Sequence, residues 1–143
     1  MIRAYIGLGS NLGDSLQILL DGWQSLGETS GIFLETISSP YRTEPVAMAS
    51  PNWFINAAGS VQTTLSPADL LASLLQVEAR FGRKRSISDR GYRDRSLDFD
   101  LLLYGMQIVS ELGLEIPHPL MHTRLFVLAP LREIAGEVIH PVR

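Results

Sequence analysis

The chain of 143 residues contains no cysteine, which excludes a disulfide framework and a thiolate metal site. It has no run approaching the roughly 20 apolar residues that a membrane span needs, and residues 1–9 lack the apolar segment of a signal peptide. The formal net charge is -3 and the isoelectric point is near 5.5, so general affinity for nucleic acid is not expected. We therefore expect a cytoplasmic protein that binds neither membranes nor nucleic acid.

The composition, 45% hydrophobic and 19% charged, is that of a chain that buries a core, and its length predicts a single domain over 1–143. Alternation of apolar residues predicts strands at 3–9, 32–37, 54–63 and 97–104. Helices are predicted from about Ser15 and from Ser66. This order of elements predicts an α+β fold with a ferredoxin-like βαββαβ core, in which helices cover a mainly antiparallel sheet. A strand near 107–109 and a helix over 123–135 predict a C-terminal extension made of a hairpin and a helix.

The apolar spacing also predicts which side chains face the core. Asp14 and Ser66 are the expected helix N-caps, with Pro67 in the first helical position and Gly82 at the end of the second helix. In the first helix the predicted buried stripe is Leu16, Leu19, Leu20, Trp23 and Leu26. In the second it is Leu70, Leu71, Leu74, Val77 and Phe81. In the strand over 97–104 it is Leu97, Phe99, Leu101 and Leu103.

Positive charge is concentrated in residues 83–95, which hold six of the 12 basic residues and two acids. The segment therefore carries +4, and the rest of the chain sums to -7. Five of the six are arginines, whose side chains bind phosphate in a bidentate manner and keep their charge when desolvated. The segment is interpreted either as a solvated surface loop or as a phosphate-binding loop that closes over a nucleotide.

Asp98 and Asp100 follow this segment on a predicted strand. Two residues apart, they leave the same face with Cα atoms roughly 7 Å apart. Neighbouring carboxylates repel each other unless a cation lies between them, and Mg²⁺ prefers carboxylate, water and phosphate oxygens. The alternative is that Arg93 and Arg95 pair with the two aspartates at the end of the sheet.

Several further polar and aromatic residues allow both a structural and a functional interpretation. Asn56 lies inside a predicted strand, where its amide either bonds the backbone or recognises a planar ligand. His118 lies between two prolines, which fix its direction, so it is either a structural residue or a hydrogen-bond donor to phosphate or beside a metal. Phe54 and Phe126 are either core residues or faces on which a flat heterocycle stacks.

Six segments together resemble the 6-hydroxymethyl-7,8-dihydropterin pyrophosphokinase family. They are AYIGLGSNLGD (4–14), SSPYRTEPVA (38–47), NWFINAA (52–58), FGRKR (81–85), DRSLDFDLLLYG (94–105) and IPHPLMHTRLFVLAPL (116–131). The resemblance runs over nearly the whole chain and its motifs are specific in this order and spacing. Arg93-Asp94-Arg95 stands where the family usually has Gly-Pro-Arg.

The resemblance implies transfer of diphosphate from ATP to the hydroxymethyl oxygen of the pterin in folate biosynthesis, with release of AMP. It implies two Mg²⁺ ions held by Asp98 and Asp100, and a monomer whose partners are ATP and the pterin. Catalytic or ATP-binding roles are implied for Arg83, Arg85, Arg95, Leu101, His118 and Arg124. Pterin-binding roles are implied for Gly9, Thr43, Val46, Phe54, Asn56, Asp98 and Phe126.

Two other interpretations remain open. A ferredoxin-like RNA-binding module would use the basic segment together with Phe54 and would bind oligonucleotides in a salt-dependent manner. The acidic remainder of the chain and the absence of aromatic-basic RNA-binding motifs weigh against it. The chain could also be one domain of a larger folate enzyme, which would leave its chemistry unchanged.

Overall fold

The computed structural model describes residues 1–11, 14–43, 54–81, 97–119 and 125–135. The strands are β1 (Ile2–Ser10), β2 (Ile32–Ile37), β3 (Tyr41–Thr43), β4 (Phe54–Thr63), β5 (Asp98–Tyr104), β6 (Val109–Glu111) and β7 (Leu114–Ile116). The helices are α1 (Ser15–Gly27), α2 (Pro67–Arg80) and α3 (Leu125–Ala135). No helix in these ranges is both long and apolar enough to cross a bilayer.

The main sheet has the strand order β2–β4–β1–β5, every pairing is antiparallel, and β3 pairs with the remaining length of β4. Each strand–helix–strand unit leaves a gap of one strand: β4 fills the gap between β1 and β2, and β1 fills the gap between β4 and β5. This interleaving is the split arrangement of a ferredoxin-like fold, so the predicted fold class is confirmed.

The predicted helix starts are also confirmed. The Asp14 side chain accepts a hydrogen bond from the backbone N–H of Gln17, and the Ser66 side chain accepts one from Asp69, as N-caps do. Pro67 occupies the first turn of α2. The helix ends at Arg80 with Phe81 as its C-cap, while Gly82, the predicted terminator, lies outside the described residues.

Helices α1 and α2 cover one face of the sheet and enclose the main core, but the predicted stripe of α1 was partly wrong. Leu16 and Leu20 are 42% and 43% exposed. The buried side of α1 instead includes Gly22, where an added Cβ would lie 2.5 Å from Leu97 Cδ2. The helix therefore approaches β5 through a residue without a side chain, and this rotates the two leucines toward solvent. In α2, Leu71 and Phe81 are partly buried against the core.

A β-bulge in β5 overturns a second prediction. Tyr5 of β1 pairs with Leu103 and Ile6 pairs with Leu101, so Leu102 is an extra residue. Alternation shifts by one at this point. Leu103 consequently lies with Leu102 in a second cluster under α3, instead of with Phe99 in the main core; the other buried members of that cluster are Tyr5, Ala58 and Leu131.

The C-terminal extension has the predicted parts at slightly different positions. The strand expected near 107–109 is β6, over 109–111, which forms a separate hairpin with β7. Gly113 in its turn has a φ of 81°, a conformation that glycine adopts without steric strain. The helix expected over 123–135 is α3, over 125–135, and it contains Pro130.

The Glu133 carboxylate links α3 to Ser39 and to Tyr41 of β3. Glu133 Oε2 accepts hydrogen bonds from the backbone N–H of Ser39 at 2.7 Å and from the Ser39 hydroxyl at 3.0 Å, and its Oε1 accepts from the Tyr41 hydroxyl at 2.8 Å. The Ser39 backbone donor, followed by the Tyr41 hydroxyl, lowers the pKa of Glu133. The carboxylate raises the pKa of Tyr41 in turn.

We expect Glu133→Ala to lower the thermal midpoint at neutral pH, because three donors lose their acceptor. The folded-state pKa of Glu133 is depressed, so its contribution is present above the ordinary glutamate pKa and is lost as the pH falls through the lowered value. The difference from the native protein should therefore shrink in acid. Thermal melts across the acidic range test this, with Glu115→Ala, an exposed glutamate in β7, as the charge-matched control. A difference that does not change with pH would contradict the assignment.

Candidate active site

The face of the sheet opposite the main core carries a row of polar and small residues. Across the strands, Tyr41 pairs with Asn56, Asn56 with Gly9, and Gly9 with Asp98. Neighbouring strands lie about 4.8 Å apart, so Asn56 and Asp98 flank Gly9 with about 10 Å between their strands. The row therefore has an amide on one side, a carboxylate on the other, and no side chain in the middle.

A second row of residues continues this open surface, and the part of it made by Gly7 and Gly9 is called the glycine floor. Gly7 pairs with Ala58 on one side and with Asp100 on the other. Because residues two apart on a strand face the same side, Gly7 and Gly9 together remove two side chains from β1 beside the aspartates. Sequence reasoning named Gly9 and missed Gly7; the signal was present in the Gly-x-Gly spacing, but only the strand register shows what it adjoins.

Asp98 and Asp100 leave this face from β5, an edge strand of the main sheet, as their spacing predicts. Both are partly exposed, and 35% of the Asp100 side chain is accessible. Within the described ranges no three His, Asp or Glu residues cluster as a complete metal cage. Two carboxylates with an open side fit Mg²⁺, which retains several waters and takes its remaining ligands from a substrate phosphate.

His118 lies beside the carboxylate pair. Its backbone N–H donates to the Leu102 carbonyl at 3.0 Å, and its Nε2 atom lies 3.6 Å from Asp100 Oδ1. The backbone bond holds the residue against β5, so the imidazole is directed at the site by a fixed main chain. The structure thus brings His118 together with Asp100, one of the two carboxylates.

Asn56 occupies the opposite side of the glycine floor. The residue is 7% exposed, and its Oδ1 atom lies 3.0 Å from the position that a Cβ on Gly9 would take. Such an approach is tighter than most Cβ contacts, so a side chain at position 9 would push the Asn56 amide away. Phe54 precedes Asn56 by two residues, lies on the same face of β4 and is partly buried.

Of the remaining predicted site residues, three lie within the described ranges and the others lie outside them. The Leu101 side chain is 4% exposed in the main core, so a contact of this residue with ATP could involve only its backbone. Thr43 pairs with Phe54 at the end of β3, and Phe126 lies in the first turns of α3. Five predicted residues lie outside the described ranges: Arg83, Arg85, Arg95, Arg124 and Val46.

We expect Gly9→Ala to raise roughly tenfold the KM for the pterin that the sequence resemblance implies as substrate, since a displacement of about 1 Å at a binding site can cost that much or more. The new methyl group would push the Asn56 amide, while the KM for ATP should stay near its native value. Steady-state kinetics with each substrate varied in turn measure both. Asn56→Ala should raise the same KM, and the double variant should be little worse than either single one. Additive losses would show that Gly9 does not act through Asn56.

Comparison with known proteins agrees with this geometry. Residues 5–136 match the model of the family described as 7,8-dihydro-6-hydroxymethylpterin-pyrophosphokinase. The 2-amino-4-hydroxy-6-hydroxymethyldihydropteridine pyrophosphokinase of Methylorubrum extorquens is 41% identical over 139 residues, covering 97% of this chain and 86% of the relative. The protein of the same name from Haemophilus influenzae is 40% identical over 141 residues, covering 99% and 86%.

A longer relative also matches. The folic acid synthesis protein fol1 of Pneumocystis carinii is 39% identical over 138 residues, which are 96% of this chain but 18% of that protein. The matches to relatives of similar length cover nearly all of this chain at about 40% identity. The chain therefore belongs to the 7,8-dihydro-6-hydroxymethylpterin-pyrophosphokinase family, whose members use ATP as co-substrate and transfer its diphosphate to the hydroxymethyl group of the pterin in folate biosynthesis.

Proposed function

We propose that the chain carries out this transfer on the open face of its sheet, with Asp98 and Asp100 holding two Mg²⁺ ions. The products are AMP and the pterin diphosphate. The observation that carries the proposal is the register of β4, β1 and β5, which sets the Asn56 amide and the two carboxylates on opposite sides of a floor made by Gly7 and Gly9. One side can bind a flat heterocycle and the other a metal-bound triphosphate.

The pterin lies over Gly9, with its hydrogen-bonding edge toward Asn56. An asparagine amide offers two donors and one acceptor oxygen, which suits the mixed donors and acceptors of that edge. Phe54 and Phe126 supply stacking faces, and the backbone near Thr43 and Val46 completes the slot. In this orientation the hydroxymethyl group points toward Asp98.

The triphosphate lies on the side of β5. Mg²⁺ supplies charge neutralisation of the phosphates and a template for in-line attack. Asp98 and Asp100 orient the ions from a rigid strand, and His118 approaches the phosphates from the side of Asp100. Arginines 83, 85, 95 and 124 add bidentate contacts to the phosphate oxygens, and the backbone of Leu101 borders the nucleotide.

The reaction needs positioning more than a covalent group on the protein. The hydroxymethyl oxygen forms a bond to the β-phosphorus, the bond from that phosphorus to the oxygen bridging to the α-phosphate breaks, and AMP leaves with that oxygen. The hydroxyl proton passes to solvent. The described carboxylates serve here as metal ligands, and no separate general base is assigned.

We also propose that the protein is a cytoplasmic monomer with a single domain and that it does not bind nucleic acid. It is tested by measuring AMP formation with and without each component. AMP should form only when ATP, the hydroxymethyl pterin and Mg²⁺ are all present. Folded protein that releases no AMP with all three would overturn the proposal.

A fluorescence titration separates this function from the RNA-binding alternative. The protein should bind Mg²⁺–ATP and show no salt-dependent binding of single-stranded RNA. The opposite pattern would favour the RNA-binding module.

A further inference from the structure

Glu78 is the one charged side chain that is buried among the described residues, at 2% exposure. It lies in the last turn of α2, within the main core and facing the sheet. Burying a carboxylate is costly unless it is well bonded, and an apolar side chain of similar size often serves a core position equally well or better. We therefore expect the buried Glu78 carboxylate to accept a hydrogen bond from a donor that an apolar side chain would leave unsatisfied.

One such partner is the backbone of the strand that carries the two aspartates. Glu78 Oε2 accepts a hydrogen bond from the Phe99 N–H at 2.6 Å. Phe99 lies between Asp98 and Asp100, and β5 has β1 as its only neighbour in the described main sheet. Its outward N–H has no strand to bond with, and a buried N–H without an acceptor would destabilise the strand. Glu78 supplies the missing acceptor.

A second bond from outside the sheet holds β5 three residues later. The His118 N–H donates to the Leu102 carbonyl, and His118 lies beyond the hairpin rather than in the main sheet. Asp100 thus lies between two backbone groups, at Phe99 and Leu102, that are bonded to other parts of the fold. The strand is therefore held from outside the main sheet on both sides of Asp100.

We propose that Glu78 is a positioning residue for the carboxylate pair. By fixing the Phe99 peptide group, it holds Asp98 and Asp100 at the separation that metal-bound triphosphate requires. It touches neither substrate nor metal and acts through the backbone. This inference rests on the proposed function, because it assumes that the two aspartates hold the metal.

Two variants of matched length separate the hydrogen bond from burial. Glu78→Gln keeps an oxygen acceptor, whereas Glu78→Met replaces it with a thioether, which accepts hydrogen bonds weakly. The readout is binding of Mn²⁺ in the presence of a non-hydrolysable ATP analogue, followed by electron paramagnetic resonance. We expect Glu78→Met to raise the Mn²⁺ midpoint about tenfold, or about 1.4 kcal/mol. Glu78→Gln should change it less than about threefold. Equal losses in the two variants would overturn the inference.

The control for general destabilisation is Leu70→Ala, a fully buried residue two turns earlier in α2. It should lower the thermal midpoint without moving the Mn²⁺ midpoint. A Mn²⁺ midpoint that moves with stability in all variants would reduce Glu78 to a structural residue and overturn the inference.

The Phe99 amide gives a test that does not depend on how well Glu78→Met folds. In the native protein it should exchange with solvent as slowly as the bonded amides of β1 and β4, and it should do so in Glu78→Gln as well. Exchange as fast as that of an exposed edge amide would overturn the inference.

The proposed function is checked separately with Asp98→Asn and Asp100→Asn. If these leave Mn²⁺ binding intact, the metal assignment itself fails. If they abolish it while Glu78→Met binds as the native protein does, the positioning role of Glu78 alone fails.

Discussion

Replacing either Asp98 or Asp100 by asparagine should lower kcat by roughly a thousandfold. This is equivalent to about 4 kcal/mol of transition-state stabilisation, which is the scale expected when a metal that neutralises developing charge is lost or misplaced. Asparagine keeps the size of the side chain and one oxygen. The loss should therefore come from the missing charge and not from repacking.

The measurement is AMP formation at saturating ATP and pterin over a range of Mg²⁺ concentrations. A weakened site should recover part of its rate at high Mg²⁺, because mass action compensates for lost affinity. Circular dichroism and thermal melts should show that the fold is retained, since both side chains are partly exposed. The control is Glu115→Gln, which removes one negative charge from the exposed hairpin and should leave kcat unchanged. A kcat within tenfold of native in either aspartate variant would contradict the assignment of the metal ligands.

The largest expected effect on stability comes from Gly59→Ala in β4. An added Cβ at this position would lie 2.3 Å from Trp23 Cη2 and 2.5 Å from its Cζ3 atom. The indole is 8% exposed and packed in the main core, so it cannot move away without displacing its neighbours. Overpacking of this kind typically costs 1–3 kcal/mol, and we expect a loss near the upper end, about 3 kcal/mol.

Urea unfolding monitored by circular dichroism measures this loss. Gly7→Ala is the matched control, because its new Cβ would meet Leu102 at an ordinary 3.6 Å and should change the free energy of unfolding little. Combining Gly59→Ala with Trp23→Phe should cost less than the sum of the single changes, since the shorter ring leaves room for the methyl group. Strict additivity would show that the indole is not the obstacle.

Local signals in the sequence predicted much of the fold. Helix caps such as Asp14 and Ser66 depend on contacts within three residues. The alternation in 54–63 predicts a strand with one face toward the core. The bulge at Leu102 depends on how β5 pairs with β1, residues that are nearly 100 positions apart, so no local pattern announces it. Leu16 and Leu20 were assigned to the wrong side of α1 because Gly22, which contributes nothing to an apolar stripe, decides which face approaches the sheet.

The candidate site divides in the same way. The spacing of Asp98 and Asp100 was enough to predict that both face one side. The open floor between them and Asn56 arises from a register across three strands, and Glu78 gave no signal because a glutamate in a helix is ordinarily exposed. The roles of Arg83, Arg85 and Arg95 stay predictions.

The bulge in β5 has a consequence for how this strand tolerates insertions and deletions. Because Leu102 is an extra residue, its deletion would restore regular pairing with β1 and leave both aspartates on their present face. A slip of β5 by one residue along β1 would instead turn both aspartates toward the hydrophobic core. The extra residue already absorbs one such shift, which lets Leu102 and Leu103 both lie under α3 while the acidic half of the strand keeps its own phase. Insertions or deletions beyond Gly105 fall in the separate hairpin and do not change the face on which the two aspartates lie. The side chains of β5 before Leu102 and those after it thus alternate in two different phases, which meet at this one extra residue.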